Sequence, residues 1–103
     1  MAIIITMKQE ISNITRVELK SLADFEEFRH SKACPSRLDR DNNEQMTIYF
    51  SDSLAHFTII PIWRSVVGDY RCLVISSQGT GGIWITSLGF LEALDSVQRV
   101  MTE

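Results

Sequence analysis

Residues 55–64 read AHFTIIPIWR, and the chain continues with YRCLVIS at 70–76 and IWIT at 83–86. These segments are rich in β-branched and aromatic residues. The only charged residues between positions 52 and 92 are Arg64, Asp69 and Arg71. Such a composition is typical of strands with at least one buried face. The stretch therefore predicts the centre of a β-sheet.

A further strand is predicted just before these segments. Apolar and polar residues alternate from Met46, which indicates a strand at 46–51. Turn-forming residues separate the four strands at 51–53, 68–69 and 78–82. Consecutive strands with such short connections predict an antiparallel meander. Because Pro61 cannot donate a ladder hydrogen bond, we expect its strand to lie at an edge there or to carry a bulge.

The first half of the chain is charge-rich and predicts two strands and a helix. AIIITMKQ at 2–9 and ITRVELK at 14–20 have the β-branched or alternating character of strands. Ser21 followed three residues later by Asp24 is an N-terminal capping pattern. Apolar residues then recur at helical spacing, so a helix is expected at 22–33.

A loop and a second helix complete the predicted fold. The segment PSRLDRDNNE at 35–44 is polar, which predicts a surface loop. After Ser87 the apolar residues fall on one face of a C-terminal helix. The order β-β-α-β-β-β-β-α predicts a single α+β domain over residues 1–103, with a mainly antiparallel sheet of about six strands and two helices packed on one side.

Strand alternation distributes large apolar side chains over both faces of this sheet. One predicted set is Ile59, Trp63, Tyr70, Cys72, Val74, Ile83 and Ile85. The opposite set is Ile60, Ile62, Leu73, Ile75 and Trp84. Two helices in a chain of 103 residues hardly cover both faces. Either the sheet curls toward a barrel, or one face is buried against another molecule.

Charge and hydropathy limit the classes of partner. Ten Lys and Arg against thirteen Asp and Glu give a formal charge of −3, whereas nucleic-acid binders carry a basic excess. An acidic balance favours a basic protein partner. No apolar run approaches the roughly eighteen residues of a membrane span, and no basic region precedes the apolar N-terminal residues. We therefore expect a cytoplasmic protein that binds neither nucleic acid nor membrane.

The histidines and cysteines do not form a recognisable constellation. His30 and Cys34 have the i, i+4 spacing of two metal ligands, but a zinc site needs three or four. The remaining soft ligands, His56 and Cys72, lie far away in sequence. An enzymatic alternative stays open: a small hydrolase using a cysteine with a histidine, or a nuclease using both histidines.

Two loops resemble ligand sites without completing them. SSQGTGG at 76–82 lacks both the GxGxxG spacing and the P-loop lysine, and a strand follows it instead of a helix. Asp39 and Asp41 alternate as in a calcium loop, but Glu44 and Phe50 occupy the positions that require glycine and glutamate. No cofactor or metal is expected.

The missing catalytic motif and the surplus of apolar sheet surface favour a non-catalytic protein-binding domain. Its concrete form is a small bacterial immunity or inhibitor protein that masks a partner, for example a toxin with a basic active site. The predicted partner-binding residues are Asp39, Asp41, Glu44, Asp52, Asp69, Tyr49, Trp63 and Trp84. A homo-oligomeric structural subunit, whose spare sheet face pairs with itself in a homodimer, is a further alternative.

Overall fold

The computed structural model describes residues 2–8, 13–64, 69–77, 83–86 and 89–102. Their strands are β1 (Ile3–Lys8), β2 (Asn13–Leu19), β3 (Glu44–Phe50), β4 (Ala55–Arg64), β5 (Asp69–Ser76) and β6 (Ile83–Thr86). Their α-helices are α1 (Leu22–Arg29) and α2 (Phe90–Thr102), and a short 3-10 helix spans Arg40–Asn42. The predicted α+β class is confirmed.

The sheet is mixed. Its strands lie in the order in which they occur in the chain, and every neighbouring pair is antiparallel except β2 and β3. Helix α1 and the loop after it carry the chain back to the starting end of β2, so β3 runs parallel to β2, with Val17 opposite Ile48. The predicted meander from β3 to β6 is antiparallel throughout.

Helix α1 is shorter than the predicted 22–33. It begins as expected, because the Asp24 carboxylate accepts hydrogen bonds from the Lys20 and Ser21 amides. It ends at Arg29, since the amide and the hydroxyl of Ser31 both donate to the Phe28 carbonyl (3.0 and 2.7 Å). A serine hydroxyl that satisfies a late carbonyl ends the helix before Pro35 is reached.

The predicted loop at 35–44 is anchored to the core. Leu38 is only 1% exposed and belongs to the main hydrophobic cluster. The 3-10 helix that follows packs against β4. Pro61 lies beyond the last β3–β4 pair, Met46 with Ile59, so β4 is locally an edge on that side.

Both helices pack on one face of the sheet and enclose a single core. Phe50 makes edge-to-face contacts with Phe25 of α1 and Phe57 of β4, at ring-centroid distances of 5.8 and 6.0 Å. Arg29 joins the helices, because its guanidinium donates to Asp95 and Gln98 at 2.6 Å each. Alternate residues of β2 to β5 therefore face the helices and are buried in this core.

The register corrects the predicted face assignment of β6. Trp84 is paired with Val74, Ile83 with Ile75, and Ile85 with Leu73. Residues that are directly opposite in adjacent strands share a face. The position of Trp84 therefore belongs to the set of Val74, and those of Ile83 and Ile85 belong to the other set. Strand parity alone does not fix this, because one residue of slip exchanges the faces.

The helices of the described residues include none with the length and apolar character needed to cross a membrane.

Candidate functional site

One face of the sheet carries no helix. Helix α1 packs on β2, and α2 packs on β4, β5 and β6, all on the same side. No described element packs on the other side, which we call the open face. Because β1 and β6 are the two ends of the strand order, the described sheet is not closed into a barrel. Its described side chains include Ile3, Ile5, Arg16, Glu18, Thr47, Tyr49, His56, Thr58, Ile60, Ile62, Leu73 and Ile75.

An apolar band crosses the open face on β4 and β5. Ile60 lies opposite Leu73, and Thr58 lies opposite Ile75. Ile60 and Leu73 are half-buried by their neighbours, and Ile75 is 37% exposed. Aliphatic side chains in adjacent strands form a contiguous surface, which monomeric proteins expose only sparingly.

A polar stack lies beside this band on β2, β3 and β4. The guanidinium carbon of Arg16 lies 3.9 Å from the ring centroid of Tyr49. The Tyr49 ring stacks on His56, with centroids 5.4 Å apart and planes inclined by 29°. Arg16 also donates from Nε to Glu18 at 2.9 Å. The stack exists because Tyr49 is opposite both Glu18 and His56 in the register.

A pocket of about 460 Å³ lies beside this stack, where β2 and β3 end and β4 begins. Its lining residues are Ile3, Glu18, Leu19, Lys20, Tyr49, Phe50, Ser51, Leu54, Ala55 and His56. The lining is mainly apolar, and Tyr49 and His56 of the stack contribute to it. A pocket with a mainly apolar lining and a few polar groups suits a side chain that has both an apolar and a polar part.

Leu54 stands at the mouth of this pocket in an uncommon conformation. It is 84% exposed, and its φ of 58° lies in the left-handed region that disfavours a residue with a Cβ atom. The turn is fixed to the end of β2, because the Ser51 and Asp52 amides donate to the Leu19 and Lys20 carbonyls at 2.8 and 3.1 Å. The fold therefore holds an aliphatic side chain in solvent at a conformational cost.

The predicted acidic residues lie at opposite ends of β3. The carboxylate of Asp39 accepts hydrogen bonds from the Asp41 amide (2.9 Å) and the Asn42 side chain (2.6 Å). Asp41 is exposed, and Glu44 begins β3 nearby. Asp52 is exposed in the turn after β3, a strand that spans about 20 Å from Glu44 to Phe50 at the usual rise per residue. The four predicted acidic residues whose side chains are described therefore do not form one patch.

The predicted aromatic residues are only partly described. Tyr49 lies half-buried on the open face. The backbone of Trp63 pairs with Tyr70 and that of Trp84 pairs with Val74, but both tryptophan side chains and that of Asp69 fall outside the described part of the structure. Sequence reasoning missed Arg16 and Leu54. Knowledge of the parallel β2–β3 register would have placed Arg16 near Tyr49. Nothing in the sequence indicates the exposed, left-handed conformation of Leu54.

The cysteines and histidines are dispersed. Cys72 is fully buried, and Cys34 is half-buried. Burial raises the pKa of the Cys34 thiol, and the nearby charge of Arg29 offsets this only in part. His30 is exposed at the end of α1, whereas His56 belongs to the stack. The described residues include no cluster of three or more histidine, cysteine or acidic side chains able to hold a metal ion.

Comparisons of the chain with protein-family models, with curated proteins and with solved structures find no significant match.

Proposed function

We propose that this protein is a non-catalytic protein-binding domain whose contact surface is the open face of its sheet. The observation that carries the proposal is the asymmetry of the sheet. Both helices cover one face, whereas Ile75 remains 37% exposed and Ile5 43% exposed on the other. Burying such a band against another molecule removes apolar area from water, which is the main driving force for association.

The distribution of side chains on this face supports a protein partner. Specific interfaces have an apolar centre and a polar rim. Here the centre is the aliphatic band around Ile60 and Leu73. The exposed acidic residues Asp41 and Asp52 lie before and after β3, toward its opposite ends.

The polar stack and the pocket offer an anchor point within the same surface. Tyrosine and arginine are enriched among the residues that dominate binding energies, and such residues cluster beside well-packed pockets. Tyr49 and Arg16 are already held by their contacts with each other and with Glu18. A preorganised anchor loses less side-chain entropy on binding than a mobile one.

The acidic charge balance of the chain, −3, favours a basic partner. A negative surface steers a basic partner toward it and selects against acidic surfaces. The finer form of the proposal is a bacterial cytoplasmic immunity or inhibitor protein that masks a basic active site, such as that of a toxin. This form rests on size, charge and the open face, and therefore on analogy.

The environments of the cysteines weigh against the hydrolase alternative. A nucleophilic cysteine needs a lowered pKa and access to substrate. Cys72 is enclosed by the core, and burial shifts the pKa of Cys34 upward. The stacking of His56 on Tyr49 is compatible with a recognition role.

Site-specific photo-crosslinking tests the proposal in cells that naturally produce the protein. A photoreactive residue replaces Thr58 in the middle of the open face, and in a matched variant it replaces Arg99 on the exposed side of α2. We expect the Thr58 variant to crosslink one basic protein and the Arg99 variant to yield no such product. In the purified complex, Asp41→Lys with Asp52→Lys should weaken binding by about tenfold and reduce its salt dependence.

Equal crosslinking from both positions would contradict the proposal, because the open face would then have no special role. A crosslinked partner with an acidic contact surface would reject the inhibitor form alone.

A further inference from the structure

Strand β1 is a free edge of the described sheet. It pairs with β2 alone, and each residue from Ile3 to Lys8 is opposite one residue of β2 without a bulge. Its isoleucines are exposed on both sides of the sheet, with Ile3 at 51%, Ile4 at 38% and Ile5 at 43%. An edge strand presents unpaired backbone N–H and C=O groups to any extended chain.

This edge lacks the usual protection. Natural edge strands are blocked by proline, by a bulge, or by charged side chains within the strand. The β1 sequence IIITMK has no proline, and its single charged residue, Lys8, lies at the end. Such a strand can pair with another extended chain through its free backbone edge.

We propose that β1 pairs antiparallel with β1 of a second copy of this chain, which joins the two sheets into one. Hydrogen-bonded and non-hydrogen-bonded pairs alternate along an antiparallel ladder, so a twofold axis requires one residue to lie opposite its own copy. Ile5 is the residue that lets the whole segment 2–8 pair in this way. Ile3 then lies opposite Met7, and Ile4 opposite Thr6.

The charge of Lys8 supports the antiparallel direction of this pairing. The sequence of the strand supports a second copy of the chain as the partner. With Ile5 at the axis, Lys8 of each copy lies opposite Ala2 of the other. The two lysine positions are then about 20 Å apart along the ladder. Parallel pairing in register would place them side by side, which is unfavourable. The apolar and β-branched pairs along the remaining ladder are those that stabilise sheets, so the strand is complementary to itself.

The inference goes beyond the proposed function and does not depend on it. A twofold axis perpendicular to the sheet keeps both helix layers on one side. The two open faces then lie side by side on the other, uncovered by the dimer itself.

Sedimentation equilibrium of the purified protein over about 1–500 μM tests this inference, because a single strand pair is smaller than a standard interface and should bind in the micromolar range. We expect a species of twice the 11.7 kDa chain mass. Ile5→Glu should weaken the dimer at least about tenfold, since it places two carboxylates opposite each other at the axis. Within the chain, position 5 is opposite Arg16, so folding should be retained.

Three further variants separate the edge from other modes of self-association. Ile5→Lys should also weaken the homodimer, and mixing it with the Ile5→Glu variant should restore a dimer. Leu91→Glu changes an even more exposed aliphatic residue on α2 (61% against 43% for Ile5) and should have no effect. A monomer at all concentrations, an unchanged dimer in Ile5→Glu, or a dimer disrupted by Ile75→Glu instead would each overturn the inference.

Discussion

The guanidinium of Arg16 lies over the ring of Tyr49 at 3.9 Å, on the face of the sheet that no described helix covers. The contact joins two parallel strands, and the Arg16 Nε also donates to the Glu18 carboxylate. This arrangement fixes the positions of two residue types that proteins favour at binding sites.

The first prediction concerns this pair. Because both groups are partly exposed, we expect a coupling energy of about 0.5–1 kcal/mol in a double-mutant cycle of Arg16→Ala and Tyr49→Ala. Urea unfolding of the four proteins measures it. The cycle of Arg99→Ala with Tyr49→Ala is a control, because Arg99 is exposed on α2, on the opposite side of the sheet. A coupling near zero for Arg16 would mean that the stack is not preorganised.

The second prediction concerns the aromatic contact between α1 and the sheet. Phe50→Ala removes a ring that is 1% exposed and touches both Phe25 and Phe57, so the free energy of unfolding should fall by about 3–5 kcal/mol. Leu91→Ala, at an exposed position on α2, should change it by less than about 0.5 kcal/mol. Thermal unfolding followed by circular dichroism distinguishes the two. A similar loss of unfolding free energy in both variants would contradict the central position of Phe50 in the core.

The third prediction is a dependence of stability on pH. Desolvation raises the pKa of Asp24, hydrogen bonds from the Lys20 and Ser21 amides lower it, and the net pKa lies below its usual value of 3.8. A carboxylate with a lowered pKa in the folded state adds stability above its unfolded pKa and loses it as the pH falls through the folded pKa. Asp24→Ala should therefore lower the melting temperature at pH 7 and have a smaller effect near pH 2.

Asp52→Ala is the matched control, because that carboxyl group is exposed in the turn after β3. An Asp24→Ala effect that is the same at both pH values would show that the cap does not depend on the charge.

The fourth prediction separates stability from recognition at the mouth of the pocket. Leu54→Gly relieves the positive φ and should raise the free energy of unfolding by about 0.5–1 kcal/mol. The same change removes the exposed leucine, so affinity for the partner should fall by about tenfold. Leu54→Asn, which tolerates this conformation but keeps a side chain, is the comparison variant. Unchanged affinity in Leu54→Gly would exclude Leu54 from the contact surface.

Local pattern predicted most of the fold. The alternation around Met46 and the capping residue Asp24 each depend on neighbours in sequence, and β3 and the start of α1 lie where these patterns indicate. The bounds of β4 agree because a long β-branched run between turns permits little else. The end of α1 was missed, because a hydrogen bond from Ser31 competes locally with helix propagation.

The site was less predictable, because it depends on register between strands. Nothing local shows that Tyr49 lies beside Arg16 or that Trp84 lies opposite Val74. The conformation of Leu54 follows from how the turn is bound to the end of β2. The surplus of apolar sheet surface was visible from composition alone, whereas its division between a covered and an open face required the tertiary structure.

Thiol labelling at position 75 tests most directly whether the open face is a contact surface. In a Cys34→Ser background, where the remaining Cys72 is fully buried, Ile75→Cys places a thiol on the open face and Leu91→Cys places one on α2. In the dilute purified protein, both positions should react rapidly with maleimide. In the cells that produce the protein, position 75 should be protected at least about tenfold while position 91 reacts as before. Equal reactivity of position 75 in both settings would contradict the claim that another molecule lies against this face.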